Sequence, residues 1–261
     1  MDTGRRAFMQ AGAATAAALG AMSAAHAADA GDAAARVKNV KAFAFDAYGT
    51  LFDVFSVTKL CEELFPGQGN AVAQVWRAKQ LQYSLMRSLM GRHRDFWGLT
   101  EDGLVFATKS LKLELTPDKR KRLMESYLSL APFPDVKPGL EALKKLGLPL
   151  AILSNGEPKM LAAAAKSAGI ADLLDRIISV EEVKIFKVSP RVYNLGAEHF
   201  KLTNPQVGFI SANSWDINGA ASTGVTTFWI QRSAAEPTEE LGFSADRVVR
   251  GITDLAPLVR G

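Results

Sequence analysis

Cysteine is almost missing from this sequence: Cys61 is the only one in 261 residues. A single thiol closes no internal disulfide, completes no zinc cluster and forms no CxxC redox pair, so it reads as a small core hydrophobe on a helix. Histidine is nearly as scarce. His26, His93 and His199 fall in no motif, and no histidine-dependent hydrolysis is expected. An excess of charge is also lacking, because 31 Lys and Arg are scattered against 27 Asp and Glu, for a formal net charge of +4. That balance speaks against a nucleic-acid partner. The densest basic run, KRKR at 119–122, follows Thr116-Pro117-Asp118 and reads as the solvated outer face of a helix. No apolar run is long enough for a stable membrane span; the Ala/Gly stretch from Ala11 to Ala25 is too short and too rich in alanine. What is present is apolar mass. With 48% hydrophobic residues the chain can bury a sizeable core, as one large domain or a domain with an insertion.

The first residues are expected to be an address rather than part of the fold. Arg5 and Arg6 are paired, Phe8 follows, and the weakly apolar stretch leads to Ala25-His26-Ala27, an A-x-A cleavage signal. This resembles a twin-arginine export signal over residues 1–27, which implies the twin-arginine machinery as partner of the precursor and a periplasmic mature protein. The lack of disulfides agrees with folding before export. Residues 28–38 read as a polar linker.

From Val40 to Phe45 a short apolar run without alternation has the pattern of a buried parallel strand. Similar runs recur at LPLAILSN (148–155), DRIISV (175–180), VGFISAN (207–213) and VTTFWIQ (225–231). Helix-like segments lie beside them: PGLEALKKLG, PKMLAAAAKSAG, SPRVYNLGAEHF and DINGAASTG. The alternation predicts an α/β fold, a Rossmann-like doubly wound parallel sheet with right-handed crossovers. In such sheets ligands lie beyond the carboxyl ends of the strands. Asp46, Ser154 with Asn155, and Ser211 with Asn213 all fall at such ends, so three remote segments are expected at one crevice.

Residues 54–131 break the pattern with no convincing strand. From Asn70 to Met90 one stripe carries Val72, Val75, Trp76, Tyr83, Met86 and Met90, and a second carries Leu81, Leu85 and Leu89, which predicts a helix buried on two sides. Thr116-Pro117-Asp118 is a good start for another helix. The expected organisation is a core of 39–53 and 132–261 with an inserted helical cap at 54–131, serving as a lid, a dimerisation surface, or both.

The stretch FAFDAYGTLFD (43–53) carries an acid to the first strand's end, where Gly49 and Thr50 turn the chain. On these residues alone Asp46 could be a metal ligand, a cap or a nucleophile. FDAYGTLFDV, the WRAKQLQY segment, LSNG, the FKVSPRVY segment and ISANSWD, in this order, resemble the haloacid dehalogenase superfamily, and within it the type II L-2-haloacid dehalogenases. The resemblance covers nearly the whole chain after the signal. It implies a nucleophilic Asp46, a short 2-haloacid as substrate, a halide ion as product, a homodimer, and no metal or other cofactor. It implies further that Lys187 keeps Asp46 ionised, that Arg77 and Asn155 receive the halide, and that Ser154 holds the substrate carboxylate. Thr50, Ser211 and Asn213 would orient Asp46 and the ester carbonyl. Asp216 would position or activate water, Tyr193 would support by a hydrogen bond, and Tyr48, Leu81, Phe96 and Trp215 would wall the carbon–halogen bond.

Bland readings stand beside these: turn chemistry for Thr50, an N-cap for Asp216, a surface lysine for Lys187, a structural ion pair for Arg77, and plain core for the apolar residues. A phosphatase or phosphonate hydrolase would share the fold and Asp46. It would be expected to carry a second acid where Tyr48 stands and more acids around Ser211-Ala212-Asn213 to hold Mg²⁺. A non-catalytic small-acid-binding protein would use the same crevice. Two positions depart from the family pattern: Ala78 stands where glutamine is usual, which bears on substrate range, and Val188 where proline is usual, which bears on the placement of Lys187.

Overall fold

The computed structural model describes residues 37–259. The expected signal at 1–27, most of the linker, and His26 lie outside the described residues. Val37, expected to close the linker, is instead buried in the core, where an apolar side chain is more stable than in water.

Strand β1 (Ala42–Phe45) is buried at all four residues and leads directly into Asp46. The chain then turns sharply: the backbone N–H groups of Thr50, Leu51 and Phe52 all point at the Ala47 carbonyl, at 3.3, 2.9 and 3.0 Å. Gly49 permits this turn with φ +97°, and a Cβ there would also press on Asn213 Oδ1 at 3.4 Å. Four α-helices follow: α1 (Thr58–Leu64), α2 (Gly69–Leu89), α3 (Phe96–Ser110) and α4 (Pro117–Ser126). Thr116 caps α4, its hydroxyl accepting the Lys119 N–H. The insertion leaves and re-enters the core at one place, since Asp53 N–H donates to Ala131 O at 2.8 Å and Phe133 N–H to Leu51 O at 3.1 Å.

The remainder alternates through α5 (Val136–Lys145), β2 (Leu150–Ser154), α6 (Pro158–Ser167), β3 (Arg176–Ser179), α7 (Pro190–Phe200), β4 (Val207–Ser211), α8 (Ser214–Ala221), β5 (Thr226–Ile230), β6 (Arg247–Val249) and α9 (Leu255–Val259). All six strands are parallel, in the order β3-β2-β1-β4-β5-β6. Because β1 is flanked by β2 and β4, the chain leaves the middle of the sheet in opposite directions, and a crevice opens at the carboxyl end of β1. Asp46 stands there.

Two expectations need correction. The sheet has a sixth strand that sequence patterning did not reveal: β6 is only three residues long and its Val248 is exposed, so it lacks a buried apolar run. Helix α2 is not buried on two sides. Its buried face runs through Val72, Ala73, Trp76, Arg77, Gln80 and Ser84, whereas Leu85, Met86, Leu89 and Met90 are exposed, Leu89 at 89%. The inward face turns polar along its second half because it roofs the crevice over Asp46, and the apolar residues consequently face out.

Candidate active site

The carboxylate of Asp46 is buried but fully hydrogen-bonded. Lys187 Nζ donates to Oδ1 at 2.8 Å, and Oδ2 accepts from the Thr50 hydroxyl at 2.9 Å and from Asn213 Nδ2 at 3.0 Å. Thr50 is aimed in turn by the Ala212 N–H, which donates to its Oγ1 at 2.9 Å. Ser211 Oγ lies 3.5 Å from the same hydroxyl and accepts the Asn213 N–H at 3.1 Å. The first strand, its turn and the end of β4 thus lock one carboxylate in one orientation.

Lys187 also donates to Asp216 Oδ2 at 2.8 Å, and Tyr193 OH donates to Asp216 Oδ1 at 2.7 Å. One ammonium therefore serves two carboxylates in a buried site, an arrangement with a residual negative charge. Burial alone would depress Lys187, but the carboxylates of Asp216 and Asp46 outweigh it and hold the ammonium above the ordinary lysine value. Burial lifts Asp216 to about 6 against the pull of Lys187, with the Asp46 charge pushing the same way. Burial and the adjoining Asp216 raise the Tyr193 phenol well above its usual value, so it stays a neutral donor. The N-cap of α8 is Asn213, not Asp216, whose side chain is spent on Lys187 and Tyr193.

The second approach to the crevice is from α2. Arg77 is buried, and among the described residues no carboxylate lies within ion-pair distance of it. Its Nη1 donates to Gln80 Oε1 at 2.7 Å and its Nη2 to the Tyr48 carbonyl at 3.1 Å. Burial pulls the guanidinium below its usual pKa, yet arginine remains charged at any physiological pH. From β2, Ser154 Oγ accepts the Gly156 N–H at 3.2 Å, which leaves its own proton to donate, and Asn155 Oδ1 accepts the Lys187 N–H at 3.0 Å, which leaves Nδ2 as a donor. The Tyr48 ring is stacked on Phe96 at 5.5 Å, and its buried hydroxyl has no partner. Leu81, Ser84, Leu85, Lys187 and Trp215 line a cavity of about 130 Å³ at the seam between α2 and the core.

Of the side chains singled out from the sequence, Asp46, Thr50, Lys187, Tyr193, Ser211, Asn213 and Asp216 form one hydrogen-bonded group, Arg77 and Phe96 contact Tyr48, and Leu81 and Trp215 line the cavity that reaches Lys187. The two departures are also placed. Ala78 is exposed on α2. Beside Val188, the Lys187 N–H donates to Asn155 Oδ1 and its ammonium to Asp46 and Asp216. Of the remaining histidines, His93 meets Glu181 at 2.9 Å and stacks on Phe186, and His199 meets Glu182 at 2.9 Å. Gln80 went unassigned in the sequence, although it lies three residues after Arg77, on the helical spacing that places both on one face.

An acid at the switch point of a parallel sheet, tied by one lysine to a second acid beneath a helical insertion, is the layout of the haloacid dehalogenase-like hydrolases. The profile of that family, described as "haloacid dehalogenase-like hydrolase", matches residues 40–224. The chain is 42% identical over 219 residues to the (S)-2-haloacid dehalogenase of Pseudomonas sp. (strain YL), covering 84% of this chain and 94% of that one. Among solved structures, an L-2-haloacid dehalogenase superposes with a TM-score of 0.82 at 42% identity, over 85% of this chain and 99% of the other. The L-2-haloacid dehalogenase of Xanthobacter autotrophicus with chloropropionic acid covalently bound gives 0.81 at 37% identity, with coverage of 85% and 99%. The chain belongs to this hydrolase family and, within it, to the L-2-haloacid dehalogenases.

Proposed function

We propose that the protein hydrolyses the carbon–halogen bond of short L-2-haloalkanoic acids, giving 2-hydroxy acids with inverted configuration through an ester on Asp46. The observation that carries this reading is the pairing of an Asp46 carboxylate fixed by Lys187, Thr50 and Asn213 with a buried arginine that has no ion-pair partner among the described residues. An Asp46 oxygen attacks C2 while the carbon–halogen bond breaks, and the halide leaves with the electron pair toward Arg77 and the Asn155 amide. Water then adds to Cγ of the ester, giving one proton to Asp216. The bond between Cγ and the substrate oxygen breaks, and the departing alkoxide takes that proton from Asp216 and leaves as the hydroxy acid. The new Asp46 carboxyl loses the second proton of water to solvent, restoring both carboxylates. The Asp216 carboxyl, lifted to about 6, is a stronger base than an ordinary aspartate while still ionised at neutral pH. The related structure holding a covalent chloropropionic acid supports the ester route.

We read the reaction as metal-independent, since both Asp46 oxygens are already taken by Lys187, Thr50 and Asn213, and Tyr48 and Ser211 stand where further acids would be needed to hold a divalent cation. Exposed Leu85, Met86, Leu89, Met90 and Phe106 support a homodimer formed through the insertion. The paired Arg5 and Arg6 and the A-x-A site support export to the periplasm by the twin-arginine route.

A halide-release screen over chloro-, bromo- and fluoroacetate and both 2-chloropropionates tests the assignment. Halide from the L-2-chloropropionate, with activity unchanged after EDTA, is expected. Release of phosphate from esters only when Mg²⁺ is supplied would overturn it.

A further inference from the structure

Among the described residues the Arg77 guanidinium is hydrogen-bonded only to neutral oxygen atoms, and one of them belongs to a side chain with no assigned role. Gln80 is fully buried, and both ends of its amide are engaged: Oε1 accepts from Arg77 Nη1 at 2.7 Å, while Nε2 donates to Thr100 Oγ1 at 2.6 Å. The Thr100 hydroxyl spends its own proton on the Phe96 carbonyl at 2.7 Å. It can therefore only accept from Gln80, and that fixes which way round the amide sits, with the oxygen toward the guanidinium. Phe96 is the ring stacked on Tyr48, whose carbonyl holds the other arm of the same arginine.

We propose that Gln80 is a positioning residue for halide departure: it sets the Arg77 fork in the orientation that receives the leaving group, and Thr100 on α3 holds Gln80 in turn. The inference rests on the reading of Arg77 as halide acceptor. The choice of an amide is chemically apt, because a neutral acceptor orients the fork without cancelling its charge, whereas a carboxylate there would form an ion pair and leave little charge for the halide. Donors fixed before the charge develops stabilise it without reorganising.

The test uses Gln80→Leu, Gln80→Glu and Thr100→Val in the full chain. Competitive inhibition by chloride and bromide is measured, with single-turnover rates for 2-chloro- and 2-bromopropionate. Gln80→Leu and Gln80→Glu are expected to raise the halide inhibition constant at least about tenfold, and Thr100→Val about threefold. All three are expected to slow the chloro substrate more than the bromo substrate, because the poorer leaving group depends more on help at the halide. A purely structural glutamine would lower Tm and leave both readouts at wild-type values, which overturns the proposal. Should Gln80→Leu fail to fold, Thr100→Val, nearly isosteric and out of contact with Arg77, decides alone: wild-type halide inhibition in it overturns the proposal. Wild-type protein that releases no halide from any haloacid would overturn the functional reading and this inference together; release by wild type with unaltered variants overturns this inference only.

Discussion

The floor and the roof of the crevice treat charge in opposite ways. On the floor, Lys187 lies between Asp46 and Asp216 and every one of these groups has close partners. In the roof, Arg77 is equally enclosed and has only an amide and a carbonyl oxygen. Removing one member of a buried, hydrogen-bonded charge set is costly, because the others are left charged and unsatisfied; removing a buried charge that no carboxylate contacts mainly relieves a desolvation cost, offset in part by the longer-range pull of Asp46 and Asp216. The floor's charges thus contribute to folding and chemistry together, whereas the roof's charge destabilises the empty protein and is compensated when an anion arrives.

The largest effect is expected at the floor. Asp46→Asn should lower halide release at least about 10⁴-fold, since a neutral amide is a poor nucleophile. Lys187→Met should cost about 3–5 kcal/mol of stability as well as activity, by leaving two buried carboxylates unpaired, and thermal unfolding would show it. Arg77→Met separates the two regions: turnover is expected to fall about 10²-fold or more while Tm holds or rises. A large drop in Tm for Arg77→Met would erase the contrast. A milder probe is pH. Asp216 is lifted from the ordinary carboxylate range to about 6, so it binds a proton as pH falls through that value. If its carboxylate is needed for the hydrolytic step, kcat should decline on the acid side with a midpoint at or below about 6, because the Asp46 charge that helps lift Asp216 is lost in the ester, and Asp216→Asn should remove that limb along with most of the turnover. The smallest effect is expected at Ala78→Gln, which changes an exposed position and should alter turnover less than twofold and stability by less than about 0.5 kcal/mol.

Much of the floor was legible in the sequence, because short buried strands are unbroken apolar runs and the residues just past their ends are the ones a parallel sheet gathers. Asp46, Ser154, Ser211 and Asn213 followed from that rule. Lys187 and Arg77 did not; they were reached through family resemblance, since no local pattern shows that a lysine before a helix folds inward. The roof was harder to read. Its polar residues Gln80 and Ser84 look solvent-facing by composition, and the neighbouring Leu85 and Leu89 look buried, whereas the structure reverses both. That no carboxylate among the described residues contacts Arg77 is a three-dimensional fact with no signature along the chain. β6 escaped for the opposite reason, being too short and too exposed to carry a period.

The central claim is that the product oxygen comes from Asp46 and that water enters the carboxylate, not the substrate. A single turnover in H₂¹⁸O with enzyme in excess, followed by mass spectrometry of a peptide spanning residues 42–59, measures this directly. Heavy oxygen in the Asp46 peptide with unlabelled hydroxy acid is the predicted result; an unlabelled peptide beside labelled product would make Asp46 a general base and contradict the account.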